Sequence, residues 1–266
     1  MKLLEWSIYS LLVFTTITCK SPGGGINFFT IEQDIEFGEK VKEEIENNPQ
    51  EYPILDENEY ADVYTYIRNM TKEILNSPEI NYKNEFAYEV KIINRDDILN
   101  AFCTPGGYIY VYTGLIKYLN NGDELAGVMG HEIAHADLRH STDALTRQYG
   151  YQILLDVLLG RNTSMLKQIA LTISSLSYSK KNEAQADEYS VRYLKHTSYN
   201  CAGAAGFFEK IINENGGDCS RIEQFFSTHP CPDNRVANIH QHATNMNCRK
   251  SPTDIHTFLS IKSRLN

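Results

Sequence analysis

His131, Glu132 and His135 hold the densest chemistry in the chain, in the run His131-Glu132-Ile133-Ala134-His135. Residues four apart share one face of a helix, so the two imidazoles can grip a single ion. Imidazoles at that spacing suit Zn2+, and the glutamate beside the first is placed to act as general base for a water at the metal. The chemistry would be metal-assisted hydrolysis. The plain alternative is a charged surface helix that happens to carry two histidines.

A catalytic zinc takes three protein ligands and keeps one position open. The third ligand must come from elsewhere in the chain. Glu183 is the best candidate, in Asn182-Glu183-Ala184-Gln185-Ala186-Asp187. Asp187 lies one turn further on the same face. There it can accept a proton from a ligand histidine and fix that ring's tautomer. A solvated acidic face is the competing account of the pair. On spacing alone His140, Glu188 and His196 are further third-ligand candidates, although His140, five residues past His135, is turned off the ligand face.

The elements that must position these groups show in the hydrophobic periods. An amphipathic helix is expected from Phe28 to about Asn47, capped by Thr30 with Gln33 three residues on. A second runs from about Glu57 to Leu75. The pattern then alternates over Phe86–Asn94, and Ala101–Thr113 reads as strand, turn and strand, with Pro105-Gly106-Gly107 at the bend. A short helix follows over Gly114–Leu119. Asn121-Gly122-Asp123-Glu124 signals the start of the helix that carries the histidines, expected to reach about Ser141. Tyr151–Tyr178 is apolar but broken by Asp156, Arg161, Asn162, Lys167 and Gln168, so it reads as buried or partner-facing helices rather than a membrane span. Helices at about Lys181–Lys195, Ala202–Asn213 and Asn234–Thr244 complete the pattern. The expected class is α+β: mainly helical, with a small sheet beside the histidine helix.

The 266 residues suffice for one large domain, and the net charge of −9 argues against a nucleic-acid partner. Residues 1–18 read as an export signal of the lipoprotein type, largely apolar from Leu3 to Thr18 although Glu5 interrupts it, and followed by Cys19, which would carry the lipid. Plain secretion and an uncleaved anchor are the alternatives. Residues 19–27 then form a flexible tether, and 28–266 a single domain. That route makes the protein exported, held at a bacterial cell envelope on the periplasmic side. Of the 6 cysteines, Cys201, Cys219, Cys231 and Cys248 cluster late. No Cys-x-x-Cys pair occurs, so disulfides, with three possible pairings, are favoured over a second zinc site. Cys103 is left as an unpaired thiol.

Several quoted stretches together resemble peptidase family M48, the gluzincin-type zinc endopeptidases that include CAAX-prenyl proteases and exported quality-control proteases. They are Phe29–Gly38, Asn100–Gly107 with Tyr110–Gly114, Glu124–His135 with Arg139-His140, Glu183–Asp187, and Ser227–Pro230 with Arg235. Cys103 and Lys180-Lys181 depart from the usual pattern. The resemblance implies a zincin-like domain with one zinc per chain, ligated by His131, His135 and Glu183, with Glu132 as base. It implies protein or peptide substrates, with envelope proteins as possible partners. Gly107, Tyr108, Ile109 and Tyr110 would form the strand that pairs with an extended substrate. His229 would approach the zinc as a removable fourth ligand or an oxyanion donor, unless it only holds a turn. Arg235 would brace Glu183 and Asp187, unless it is a surface charge. A latent form, its zinc blocked by the His229 loop and acting as a chaperone or assembly factor, is the alternative function.

Overall fold

The computed structural model describes residues 19–20, 26–214, 227–230, 234–248 and 255–265. The expected signal segment lies outside the described residues, as do residues 21–25 of the tether and Cys219 and Cys231. At the tether's ends, β1 (Cys19–Lys20) pairs antiparallel with β2 (Ile26–Asn27).

A small mixed sheet organises the rest. It contains β3 (Val90–Ile93), β4 (Ala101–Cys103) and β5 (Ile109–Tyr112) in the order β3-β5-β4. β5 runs parallel to β3 and antiparallel to β4. Successive strand residues point to opposite faces, and that alternation divides the core in two. Ile109 and Val111 join Val90, Ile92, Ala101 and Cys103 in one cluster. Tyr110 and Tyr112 join Ile93 and Phe102 in the other. The first strand is shorter than its alternation suggests. Tyr88 has a positive φ of 43°, and the Ala87 N–H donates to the Gly106 carbonyl at 2.9 Å, which turns the chain before Val90.

Helices cover both faces. On the tyrosine side lie α1 (Ile31–Glu46), α6 (Tyr151–Leu158) and α7 (Thr163–Thr172). Thr30 and Gln33 form the expected reciprocal cap of α1, at 2.9 and 3.2 Å, a device that stabilises a helix by about 1 kcal/mol. On the other face α2 (Ala61–Leu75) flanks the central helix α4 (Gly122–Asp137), which follows the short α3 (Thr113–Tyr118). Asn121 caps α4 by accepting the Glu124 N–H at 2.9 Å. Every residue of α4 is buried. Packed against it are α8 (Lys180–Leu194) and α9 (Gly203–Glu214), with α10 (Arg235–Asn245) behind them and α11 (Ile255–Ser263) against α2. Gly127 and Gly203 permit the close approach of α4 and α9, because a Cβ at Gly127 would sit 2.0 Å from the Ala204 nitrogen and one at Gly203 1.9 Å from the Asp123 carbonyl oxygen. A disulfide joins Cys201 to Cys248, tying the approach to α9 to the end of α10. Cys103 is free and buried.

The histidine helix does not reach Ser141. It stops at Asp137, and Arg139 takes a left-handed conformation (φ 61°, ψ 31°) before α5 (His140–Tyr149) begins. The cause is tertiary. The Arg139 guanidinium is buried, donating to Asp34 Oδ2 at 2.6 Å and to the Phe29 carbonyl at 2.6 Å, so the elbow is held by α1. The apolar stretch at Tyr151–Tyr178 becomes α6 and α7, which bury Leu154, Val157, Leu158 and Ile169. No helix among the described residues is long and apolar enough to cross a membrane.

Candidate metal centre

α4 and α8 lie face to face, and that contact makes the site. His131 and His135 stand one turn apart on α4 with their Nε2 atoms 2.9 Å from each other. Glu183 enters from the first turn of α8, its Oε2 3.4 Å from His131 Nε2 and its Oε1 3.2 Å from His135 Nε2. A capping box between Ser179 and Asn182 fixes where α8 starts, and so where Glu183 sits. One turn on, Asp187 Oδ1 is 2.9 Å from His131 Nδ1. Arg235, on α10, donates to Asp187 Oδ1 at 2.7 Å, pairs with Glu183 Oε2 at 3.1 Å, and lays its guanidinium over the Phe208 ring. It is buried rather than a surface charge.

His229 also comes into the site. Its Nδ1 lies 3.1 Å from Glu183 Oε1, and its Nε2 is 3.4 Å from the Ala101 carbonyl and 3.7 Å from Glu132 Oε1. The ring is 0% exposed. The Tyr178 N–H donates to the Thr228 carbonyl at 3.1 Å, which pins the segment beside the start of α8. One donor atom from each of His131, His135, Glu183 and His229 falls within 4.8 Å of the others.

The strand expected to meet a substrate is placed differently. Ile109 and Tyr110 belong to β5, the middle strand, whose two edges are already paired. Gly107 and Tyr108 form the turn leading into it. The sheet's edge on this side is β4, next to α4. Two of its outward carbonyls are engaged: His229 lies against that of Ala101, and the Ser141 hydroxyl donates to that of Cys103 at 3.0 Å. Alternation alone cannot tell an edge strand from a central one, because that depends on the third strand.

The electrostatics suit a cation. Burial disfavours a charged His131, but hydrogen bonds to Asp187 and Glu183 outweigh it and raise its pKa to about 9. Burial holds His135 well below the usual histidine range. For Glu183, burial is outweighed by the charges of His229 and His131, and its carboxyl stays ionised. Burial raises Glu132. Glu132 Oε2 is buried without a hydrogen-bond partner among the described residues. Facing imidazole nitrogens beside a buried carboxylate are the donor set that zinc takes, so the residues fit a zinc ion.

Two neighbours escaped the sequence reading, and a third, His140, reads there as turned off the ligand face. Tyr178 stacks on His135 with ring centroids 3.8 Å apart. Ser141 accepts or donates to the Tyr178 hydroxyl at 3.0 Å. His140 reaches His135 Nδ1 at 3.1 Å, brought there by the elbow at Arg139. Glu188 instead pairs with Arg192, and His196, just past the end of α8, lies near Glu79.

A His-Glu-x-x-His helix crossed by a second helix that brings in a glutamate defines a metallopeptidase-type centre. Residues 63–243 match the profile of peptidase family M48, and the chain belongs to that family. It is 34% identical over 148 residues to the mitochondrial metalloendopeptidase OMA1 of Arabidopsis thaliana, covering 54% of this chain and 29% of that protein. It is 29% identical over 168 residues to the beta-barrel assembly-enhancing protease of Escherichia coli, covering 58% and 34%. The metalloprotease YcaL of the same organism is 28% identical over 172 residues, covering 62% and 63%. The chain thus spans about a third of the length of the first two.

Proposed function

We propose that this chain is a zinc-dependent endopeptidase of the bacterial cell envelope, acting in protein quality control. The observation that carries the reading is the convergence of His131, His135 and Glu183, with Glu132 on the same helix turn as the first histidine. These three would hold the ion. When bound, zinc supplies a Lewis acid that polarises a peptide carbonyl and makes water nucleophilic at neutral pH.

The chain's own residues do the rest. Glu132 takes the proton from the attacking water at its carboxylate and returns it to the leaving amine. Asp187 accepts the His131 Nδ1 proton, which leaves Nε2 free for the metal. Arg235 braces that carboxylate and the Oε2 side of Glu183, so Oε1 faces His135. An extended substrate would pair with the β4 edge at Ala101–Cys103 once His229 has withdrawn.

His229 favours a regulated enzyme over one that is always open. Its imidazole stands between Glu132, Glu183 and the β4 edge, where water and substrate would have to enter. In this reading His229 is a removable fourth ligand and the described form is latent. A latent form acting mainly as a chaperone or assembly factor would use the same closed arrangement. The envelope location rests on the export signal and on the lipid expected at Cys19. It draws support from bacterial relatives, one of which is named for enhancing beta-barrel assembly.

Exchange of Glu132 for Gln tests the reaction. The Glu132→Gln chain is expected to bind zinc like the wild type and to lose peptide hydrolysis. Hydrolysis at the wild-type rate would remove Glu132 as the base. A wild-type chain that binds no zinc would remove the proposal.

A further inference from the structure

The two ligand histidines have unlike supports. Behind His131 stands a carboxylate, Asp187, at 2.9 Å from Nδ1. Behind His135 stands another imidazole: His140 Nδ1 is 3.1 Å from His135 Nδ1. The two rings meet edge to face, at 72°, with centroids 5.1 Å apart. His135 is 0% exposed and His140 2%, so bulk water does not compete for that contact. Tyr178 lies flat on His135 and fixes the plane in which Nδ1 points. Among the described residues His140 is the hydrogen-bond partner of His135 Nδ1.

Two facing ring nitrogens can share only one proton. A histidine that gives Nε2 to a metal must carry its proton on Nδ1 and needs an acceptor for it. We infer that His140 is the positioning residue that accepts this proton and selects the metal-binding tautomer of His135. The inference rests on the zinc reading above.

With Nδ1 accepting, the His140 proton lies on the buried Nε2, and the Gln185 side chain is the ring's other hydrogen-bond neighbour. A neutral imidazole is a weaker acceptor than the carboxylate behind His131. The placement itself comes from the elbow. On an unbroken helix a residue five past His135 would point away from it. The left-handed Arg139, held by Asp34 and by the Phe29 carbonyl, turns His140 back onto the ring.

The test uses the full chain with zinc as the probe, in competition with a chelator of known affinity. Leucine at this position fills the space and accepts nothing. His140→Leu is expected to weaken zinc binding roughly 10–100-fold. Asparagine can place an amide oxygen where Nδ1 stood. His140→Asn should bind zinc clearly more tightly than His140→Leu. Nitrogen-15 spectra of the zinc-loaded wild type should show a slowly exchanging His135 Nδ1 proton that is lost in His140→Leu. Thermal melts of the metal-free variants identify any that fail to fold, and for a destabilised leucine variant the asparagine variant and the wild-type spectrum decide. Wild-type affinity in a folded His140→Leu, equal losses in folded leucine and asparagine variants, or a His135 proton on Nε2 in the zinc-loaded wild type would overturn the inference while leaving zinc binding intact. Absence of zinc binding by the wild type would overturn both.

Discussion

Removal of the Asp187 carboxylate is the sharpest probe of how the centre is held. Its Oδ1 stands 2.9 Å from His131 Nδ1 and accepts from Arg235 at 2.7 Å. Asp187→Ala therefore breaks two charge-assisted contacts at once. His131 loses the acceptor that keeps Nε2 free for the metal. Arg235 keeps its contact with Glu183 Oε2 at 3.1 Å and draws that ligand toward itself. Loss of an outer-shell partner weakens metal binding about 10–100-fold, or about 1.4–2.7 kcal/mol. With both effects in the same direction, Asp187→Ala belongs at the upper end. Asp187→Asn keeps an oxygen for His131 but loses the charge that Arg235 needs, so its loss should lie near the lower end. The measurement is zinc competition against a chelator of known affinity at fixed pH, with thermal melts of the metal-free proteins as a control for folding. Unchanged affinity in Asp187→Ala would refute the reasoning and make Asp187 a structural partner of Arg235. Equal losses in the two variants would show that charge, and not the acceptor oxygen, supports His131.

Two further outcomes follow from the same geometry. His229→Ala empties the space between Glu132 and Glu183 and should raise hydrolysis of a small fluorogenic peptide; a fall would instead place the imidazole in the reaction, and no change would leave it a loop residue. Cys19→Ser should move the protein from the membrane to the soluble fraction of envelope preparations, and unchanged fractionation would remove the lipid anchor.

Much of this was legible before any coordinates, for physical reasons. Thr30 with Gln33 and Asn121 before Glu124 are local signals, and local signals mark helix starts. The four-residue spacings His131–His135 and Glu183–Asp187 are geometry a helix guarantees wherever it packs. Features set by other parts of the chain were not legible. Nothing near Leu138 announces a helix break, because the residue that forces it is Asp34, more than a hundred positions away. His140 looked turned away for the same reason. Ile109 and Tyr110 alternate like an edge strand but lie between two partners. Four clustered cysteines left three pairings open; the structure joins Cys201 to Cys248, while Cys219 and Cys231 lie outside the described residues.

The hold of α1 on Arg139 also bears on where the folding unit begins. The family match starts at residue 63, well after α1 ends. A fragment cut at that boundary would lose Asp34 and the Phe29 carbonyl, and would leave a guanidinium buried without its acidic partner. Removing one partner of a buried ion pair costs about 3–5 kcal/mol, a large share of what holds a typical domain together. Phe37, Val41 and Ile45 would vanish from the tyrosine-side core with it. The segment that the family profile matches is therefore smaller than the segment this buried ion pair holds together, and truncations that keep the pair start before Phe29.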